Sequence, residues 1–215
     1  MEKNLKKRIL SSIILIPVTF FLIIYGSYLF LLLLTIIFFI SAFEWHKMTK
    51  NKSYNVFGFI FLILSFYSIY QIRMTENNSY ESFLIILLIC IFTDTGGYIF
   101  GKVFKGPKLI SYSPNKTITG MIGSYLFPLC GFSLLLYFNI IEKSQDILFI
   151  FFIFLISTVS QLGDIVISVF KRKSKIKDTG QIIPGHGGIL DRIDGMLFAF
   201  PFAYLIMLTN LFDRI

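Results

Sequence analysis

Two apolar runs, Ile9 to Tyr25 and Tyr28 to Phe43, hold no charged side chain, and this feature restricts the fold more than any other. A helix needs roughly 20 mostly apolar residues to cross about 30 Å of hydrocarbon. Comparable runs recur, giving candidate spans at 9–25, 28–43, 55–72, 82–100, 119–140, 147–170 and 195–212. In lipid every backbone N–H and C=O must find a partner within the protein, and helices of this length do so internally. They are too long for barrel strands. The fold expected is all-α: a polytopic transmembrane helix bundle of about seven spans. It forms a single integral membrane domain, with N-terminal helices over 1–80 and a catalytic region over 81–215 that carries loops 101–118 and 171–194. Charged residues make up 15%, against about 25% in soluble domains, which excludes a water-facing globule.

The net charge of +8 raises nucleic acid binding, but its distribution argues against that. With the N-terminus inside, all Lys and Arg except Arg73, Lys143 and Arg214 fall on inside segments, as the positive-inside rule requires. Both long loops then face the cytoplasm, where nucleotides are abundant. The basic start (Lys3, Lys6, Lys7, Arg8) resembles a signal peptide, but no small-residue cleavage site follows; an uncleaved first span is expected. Cys90 and Cys130 lie in apolar runs without metal or redox spacing and read as packing residues.

Acidic residues in such surroundings mark chemistry, because a carboxylate at the centre of a membrane span costs about 2.5–3.5 kcal/mol on insertion scales. Asp94, Asp164 and the pair Asp191/Asp194 lie in or beside apolar runs. Gln161, Asp164, Ser168 and Lys171 follow at steps of three or four, so a helix puts them on one face. Asp191 and Asp194 are three apart and would aim the same way. Carboxylates beside a basic loop suit a divalent cation carrying phosphates; magnesium takes one or two carboxylates and leaves the other positions to water and substrate oxygens. Nearby lysines and Arg192 would clamp remaining phosphate charge.

The run Pro184-Gly185-His186-Gly187-Gly188 leaves backbone nearly bare before Asp191, so its N–H groups can cradle an anion. Asp94-Thr95-Gly96-Gly97, Gly101-Lys102 and Ser113-Pro114-Asn115-Lys116-Thr117 are similar in kind. A standard P-loop is absent: 101–108 reads GKVFKGPK, with proline where the motif lysine belongs. His186 reads as a structural or phosphate-contact residue rather than a base, since a phosphate monoester is largely ionised at neutral pH.

Ser168 to Asp194, SVFKRKSKIKDTGQIIPGHGGILDRID, resembles the signature of phosphatidate cytidylyltransferases (CDP-diacylglycerol synthases). Asp164 fits the preceding family position, and Asp94 to Lys116 resembles a weaker upstream block; the N-terminal half agrees in hydrophobicity, a basic start and an Ala-Phe-Glu segment at Glu44. The resemblance implies transfer of CMP from CTP to phosphatidate, magnesium dependence, a homodimer, and a bacterial-type cytoplasmic membrane with the site on its cytoplasmic side. It leaves open whether a monovalent cation joins the magnesium. By carry-over Asp164, Asp191 and Asp194 hold metal, and Lys171, Arg172, Lys177 and Arg192 bind phosphates. Ser113, Lys116 and Thr117 join the substrate site, with the signature's Ser168, Asp178, His186, Gly187 and Gly188, and Asp94 upstream. Thr119 and Ser124 depart from the family pattern, and the chain is shorter than typical members. A related enzyme acting on another lipid phosphate, such as an isoprenoid ether lipid, and a transporter with an acidic ion path are the rival readings. The second is disfavoured because ion-path charges gather near the midplane.

Overall fold

The structure, a computed structural model, describes residue 13 and residues 17–74, 79–110, 113–138, 147–182 and 187–209. Residues 17–25 are helical. Then follow α1 (Ser27–Thr49), α2 (Asn55–Met74), α3 (Ser79–Phe104), β1 (Lys108–Ile110), β2 (Ser113–Thr117), α4 (Ile118–Tyr137), α5 (Ile147–Lys173), α6 (Leu190–Ile193) and α7 (Met196–Leu208). Five of these, α1 to α5, are long and apolar enough to cross a membrane. Many of their exposed positions are apolar, including Phe39, Phe43, Phe57 and Ile63, the reverse of a water-soluble surface.

The expected spans correspond to these elements with two differences. The run at 195–212 yields the 13-residue α7, about 20 Å long at 1.5 Å per residue. The first span, 9–25, lies partly outside the described residues. Five long helices therefore stand among the described residues where the sequence reading has seven spans.

The chain forms two compact units, Met1–Tyr80 with Phe170–Asp194 and Glu81–Val169 with Gly195–Ile215. In the first, α1 and α2 make an antiparallel hairpin through a tight connection in which Asn51 takes a left-handed φ of 66°. Trp45 Nε1 donates to the Asn55 carbonyl at 3.0 Å, and its indole occupies the space that a Cβ on Gly58 would need. Phe38 meets Phe66 edge-on, with centroids 5.3 Å apart. Arg73 Nε donates to the Ile23 carbonyl at 2.8 Å, and its Nη2 to Ile24 at 3.1 Å. These carbonyls lie in the last turn of the preceding helical segment, where C=O groups generally lack intrahelical donors.

In the second unit α3 and α4 cross through glycines. A Cβ on Gly96 would collide with the Gly123 carbonyl, and one on Gly120 would lie 2.8 Å from the Gly97 carbonyl. Backbones approach this closely only where side chains are minimal. Phe92 packs against Phe127 and Phe132, and Phe132 against Phe149. Thr93 Oγ1 donates to Ser157 Oγ at 3.0 Å, satisfying two buried hydroxyls.

The 101–118 segment, expected as a loop, is more ordered than that. The α3 helix continues to Phe104, its last turn carrying Lys102 over the Tyr98 ring at 5.5 Å. An antiparallel β1–β2 pair follows, with Lys108 opposite Thr117 and Ile110 opposite Ser113.

Candidate active site

The α5 helix runs unbroken from Ile147 to Lys173, so the polar positions Gln161, Asp164, Ser168 and Lys171 all fall on one helix. It ends in a capping turn of Schellman type. Ile176 N donates to the Lys171 carbonyl and Lys175 N to that of Arg172, both at 3.0 Å, with Lys175 at φ 56°. The chain then enters the signature loop.

Lys171 and the two signature aspartates meet beyond that turn. Lys171 Nζ stands 2.8 Å from Asp191 Oδ1 and 4.0 Å from Asp194 Oδ2. All three side chains are largely buried. Asp191 is saturated on its other oxygen: Oδ2 accepts from the amides of Thr179 at 2.8 Å and Gly188 at 3.2 Å. Burial raises its carboxyl pKa. The Lys171 hydrogen bond and charge and the two amides outweigh burial and leave it below the ordinary value.

The Gly188 amide, expected to cradle a substrate anion, cradles the chain's own Asp191 carboxylate. Gly187, at φ 91°, supplies the left-handed turn that a residue with a Cβ adopts only at a cost. His186, with Pro184 and Gly185, lies outside the described residues. Arg172, Lys177, Asp178 and Arg192 are exposed around the loop.

A second acid–base pair forms between β2 and α5. Lys116 Nζ stands 2.6 Å from Asp164 Oδ2, and Ser168 Oγ donates to Asp164 Oδ1 at 3.3 Å. Thr117, expected at the substrate, is the N-cap of α4: its Oγ1 accepts from the Gly120 amide at 3.1 Å. Ser113 contributes backbone to β2, and its side chain lies outside the described residues. Asp94 occupies an exposed position within α3. The glycines near it are not an anion cradle: Gly96, Gly97 and Gly101 lie inside α3 and serve its packing on α4. Thr119 packs on Gly106, and Ser124 on Gly97.

Two residues that the motif reading left without a role hold the signature loop. Glu44, only 1% exposed, accepts from the Thr179 hydroxyl and from the Ile189 and Leu190 amides. Thr179, buried at 4%, spans the two carboxylates, with its amide on Asp191 and its hydroxyl on Glu44. A lone acid at the end of an apolar run was the available signal for Glu44; its partners lie 135–146 positions away.

A magnesium site is implied by the resemblance, and the donors suit it in kind. Asp164, Asp191 and Asp194 offer the hard oxygens magnesium prefers, and the Lys171 ammonium shows that a cation is accommodated beside Asp191 and Asp194. Among the described residues no group of three or more His, Cys, Asp or Glu gathers closely enough to hold a metal by itself. Magnesium bound by one or two carboxylates, with substrate phosphates completing its shell, requires no such group.

These features define a class first: an all-α integral membrane protein whose polar helix end and glycine-rich turn assemble carboxylates with lysine. The profile of the Cytidylyltransferase family matches residues 6–78 and 55–210, and the chain belongs to that family. A protein named phosphatidate cytidylyltransferase from Rickettsia typhi (strain ATCC VR-144 / Wilmington) is 35% identical over 209 residues, covering 93% of this chain and 90% of that protein. Proteins of the same name from Staphylococcus aureus (strain COL) and Staphylococcus haemolyticus (strain JCSC1435) are 42% identical over 120 and 118 residues, covering 55% and 54% of this chain. The match spans less than half, 45%, of each staphylococcal protein.

Proposed function

We propose that this protein transfers CMP from CTP to phosphatidate, yielding CDP-diacylglycerol and pyrophosphate, at the cytoplasmic face of a bacterial inner membrane. The observation that carries this reading is the Asp191–Arg192–Ile193–Asp194 turn, held by Lys171 at 2.8 Å and by two amides. Family membership and the names of the relatives support it. The bias of Lys and Arg toward one set of loops supports the cytoplasmic side.

The chemistry is an in-line displacement. A phosphatidate phosphate oxygen forms a bond to the α-phosphorus of CTP. The bond from that phosphorus to the bridging oxygen breaks, and its electron pair leaves with pyrophosphate. The attacking phosphate monoester is already ionised at neutral pH, so the protein contributes position and charge rather than a strong base. Exposed Arg172, Lys177 and Arg192 are suited to gather the phosphates. Asp164, Asp191 and Asp194 would hold magnesium, which when bound neutralises charge on the transferring and leaving phosphates. Lys116 otherwise neutralises Asp164, and Lys171 neutralises Asp191 and helps keep the turn in shape. A site at the membrane edge lets the lipid enter from the leaflet and CTP from water.

The test is pyrophosphate release by the purified protein in detergent micelles. CTP, dCTP and other triphosphates would be offered with phosphatidate or with an isoprenoid ether lipid phosphate. Release that needs both CTP and phosphatidate supports the reading; release favouring the ether lipid, or none with any pair, contradicts it.

A further inference from the structure

Glu44 is a fully buried carboxylate that the displacement chemistry does not use. Burying such a group is costly unless its oxygens are hydrogen-bonded, and here they are well supplied. Oε2 accepts from the Leu190 amide at 2.8 Å and the Thr179 hydroxyl at 3.1 Å, and Oε1 from the Ile189 amide at 3.1 Å. The Ile189 and Leu190 amides open the short turn that carries Asp191 and Asp194, and the side chain of Ile189 cannot cap them. Two glycines make room for the contact. A Cβ on Gly180 would collide with Glu44 Oε1, and one on Gly188 would lie 2.6 and 2.7 Å from the two carboxylate oxygens.

We infer that Glu44 is a positioning residue, a peg on α1 that fixes the signature turn so that Asp191 and Asp194 are presented to the reacting phosphates. Thr179 links the two acids, its hydroxyl on Glu44 and its amide on Asp191. All the hydrogen-bonding partners of Glu44 are donors, which suits a carboxylate and not an amide. A glutamine would turn an NH2 group toward at least one N–H, and an apolar residue of equal size would leave two buried amides without acceptors. Asp191 and Asp194 thus depend on a residue nearly 150 positions earlier. The inference rests on the proposed transfer for its kinetic consequence only; the hold on the turn is independent of it.

The test compares wild type, Glu44→Gln and Thr179→Val in detergent, by amide hydrogen exchange over 179–190, by thermal unfolding, and by steady-state kinetics with CTP and phosphatidate. Removing a supporting partner of this kind lowers activity by about 10- to 100-fold. Glu44→Gln should therefore lose that much kcat with little change in either KM, and its Ile189 and Leu190 amides should exchange faster. Thr179→Val should show the same pattern more mildly. A Glu44→Gln protein with wild-type kcat and exchange overturns the inference, as does one that loses only unfolding temperature. If Glu44→Gln does not fold, Thr179→Val decides by the same readouts. If wild type makes no CDP-lipid, the proposed transfer fails, and the exchange rates alone decide whether Glu44 holds the turn.

Discussion

Lys171 Nζ and Asp191 Oδ1 lie 2.8 Å apart, with only 13% and 6% of their side chains exposed. Breaking such a pair from one side strands an uncompensated charge, typically at about 3 kcal/mol or more. Here the loss of Lys171 also removes the cation that stands beside both Asp191 and Asp194. Lys171→Met should lower unfolding stability in detergent by that order. The double variant Lys171→Met/Asp191→Asn should recover part of the loss, because the stranded charge is gone. Additive losses would show that the pair is not coupled.

Against the upward effect of burial, Lys171 and two backbone amides hold the Asp191 carboxyl below the ordinary carboxyl range in the folded protein. A depressed carboxyl contributes stability that is fully present above the unfolded value and is lost as pH falls toward the folded one. The unfolding temperature of wild type should therefore drop as pH is lowered below about 4, the unfolded aspartate value. Asp191→Asn should flatten that part of the profile. Equal acid slopes in the two proteins would remove Asp191 from the account.

The α3–α4 crossing has no room for a methyl group at Gly123. Its Cβ would collide with the Phe100 ring and lie 2.7 Å from the Gly96 carbonyl. Overpacking of this kind costs about 1–3 kcal/mol. Gly123→Ala should lower the unfolding temperature, and Gly96→Ala likewise, since its Cβ meets the Gly123 carbonyl. Combining them should cost less than the sum of the two, because both report on the same crossing.

Five of the spans and the acidic turn were legible because their causes are local. An uncharged stretch long enough to cross lipid has few alternatives to helix, and Asp191 and Asp194 need only their three-residue spacing to share a side. Gly96, Gly97, Gly120 and Gly123 illustrate what is not legible. Glycine serves close helix crossing and anion binding equally well, and only the neighbouring helix distinguishes them. Likewise Gly188 was readable as a backbone donor, but its contact with Asp191 was not. The role of Glu44 was hidden for a different reason: its three donors belong to a loop that the fold brings to it from the other end of the chain. The β1–β2 pair escaped because Ser113-Pro114-Asn115-Lys116-Thr117 carries turn-forming residues and no alternating apolar pattern.

Lys175 adopts a left-handed φ of 56° at the end of α5, a position that glycine fills without steric cost. Lys175→Gly should raise stability by about 0.5–1 kcal/mol through relief of that conformation. Thermal unfolding checks it. A decrease would mean that the lysine side chain contributes more to the turn than its backbone costs.

The signature turn is proposed to transfer a cytidylyl group to a membrane lipid phosphate. The most direct measurement follows label from the α-phosphate of CTP into organic-extractable lipid, with phosphatidate and magnesium present, for wild type and Asp191→Asn side by side. Labelled CDP-lipid is expected from wild type, dependent on phosphatidate, with a loss of about 100-fold or more in a folded, membrane-inserted Asp191→Asn protein. Label transfer that persists in Asp191→Asn, or that never appears in wild type, would contradict it.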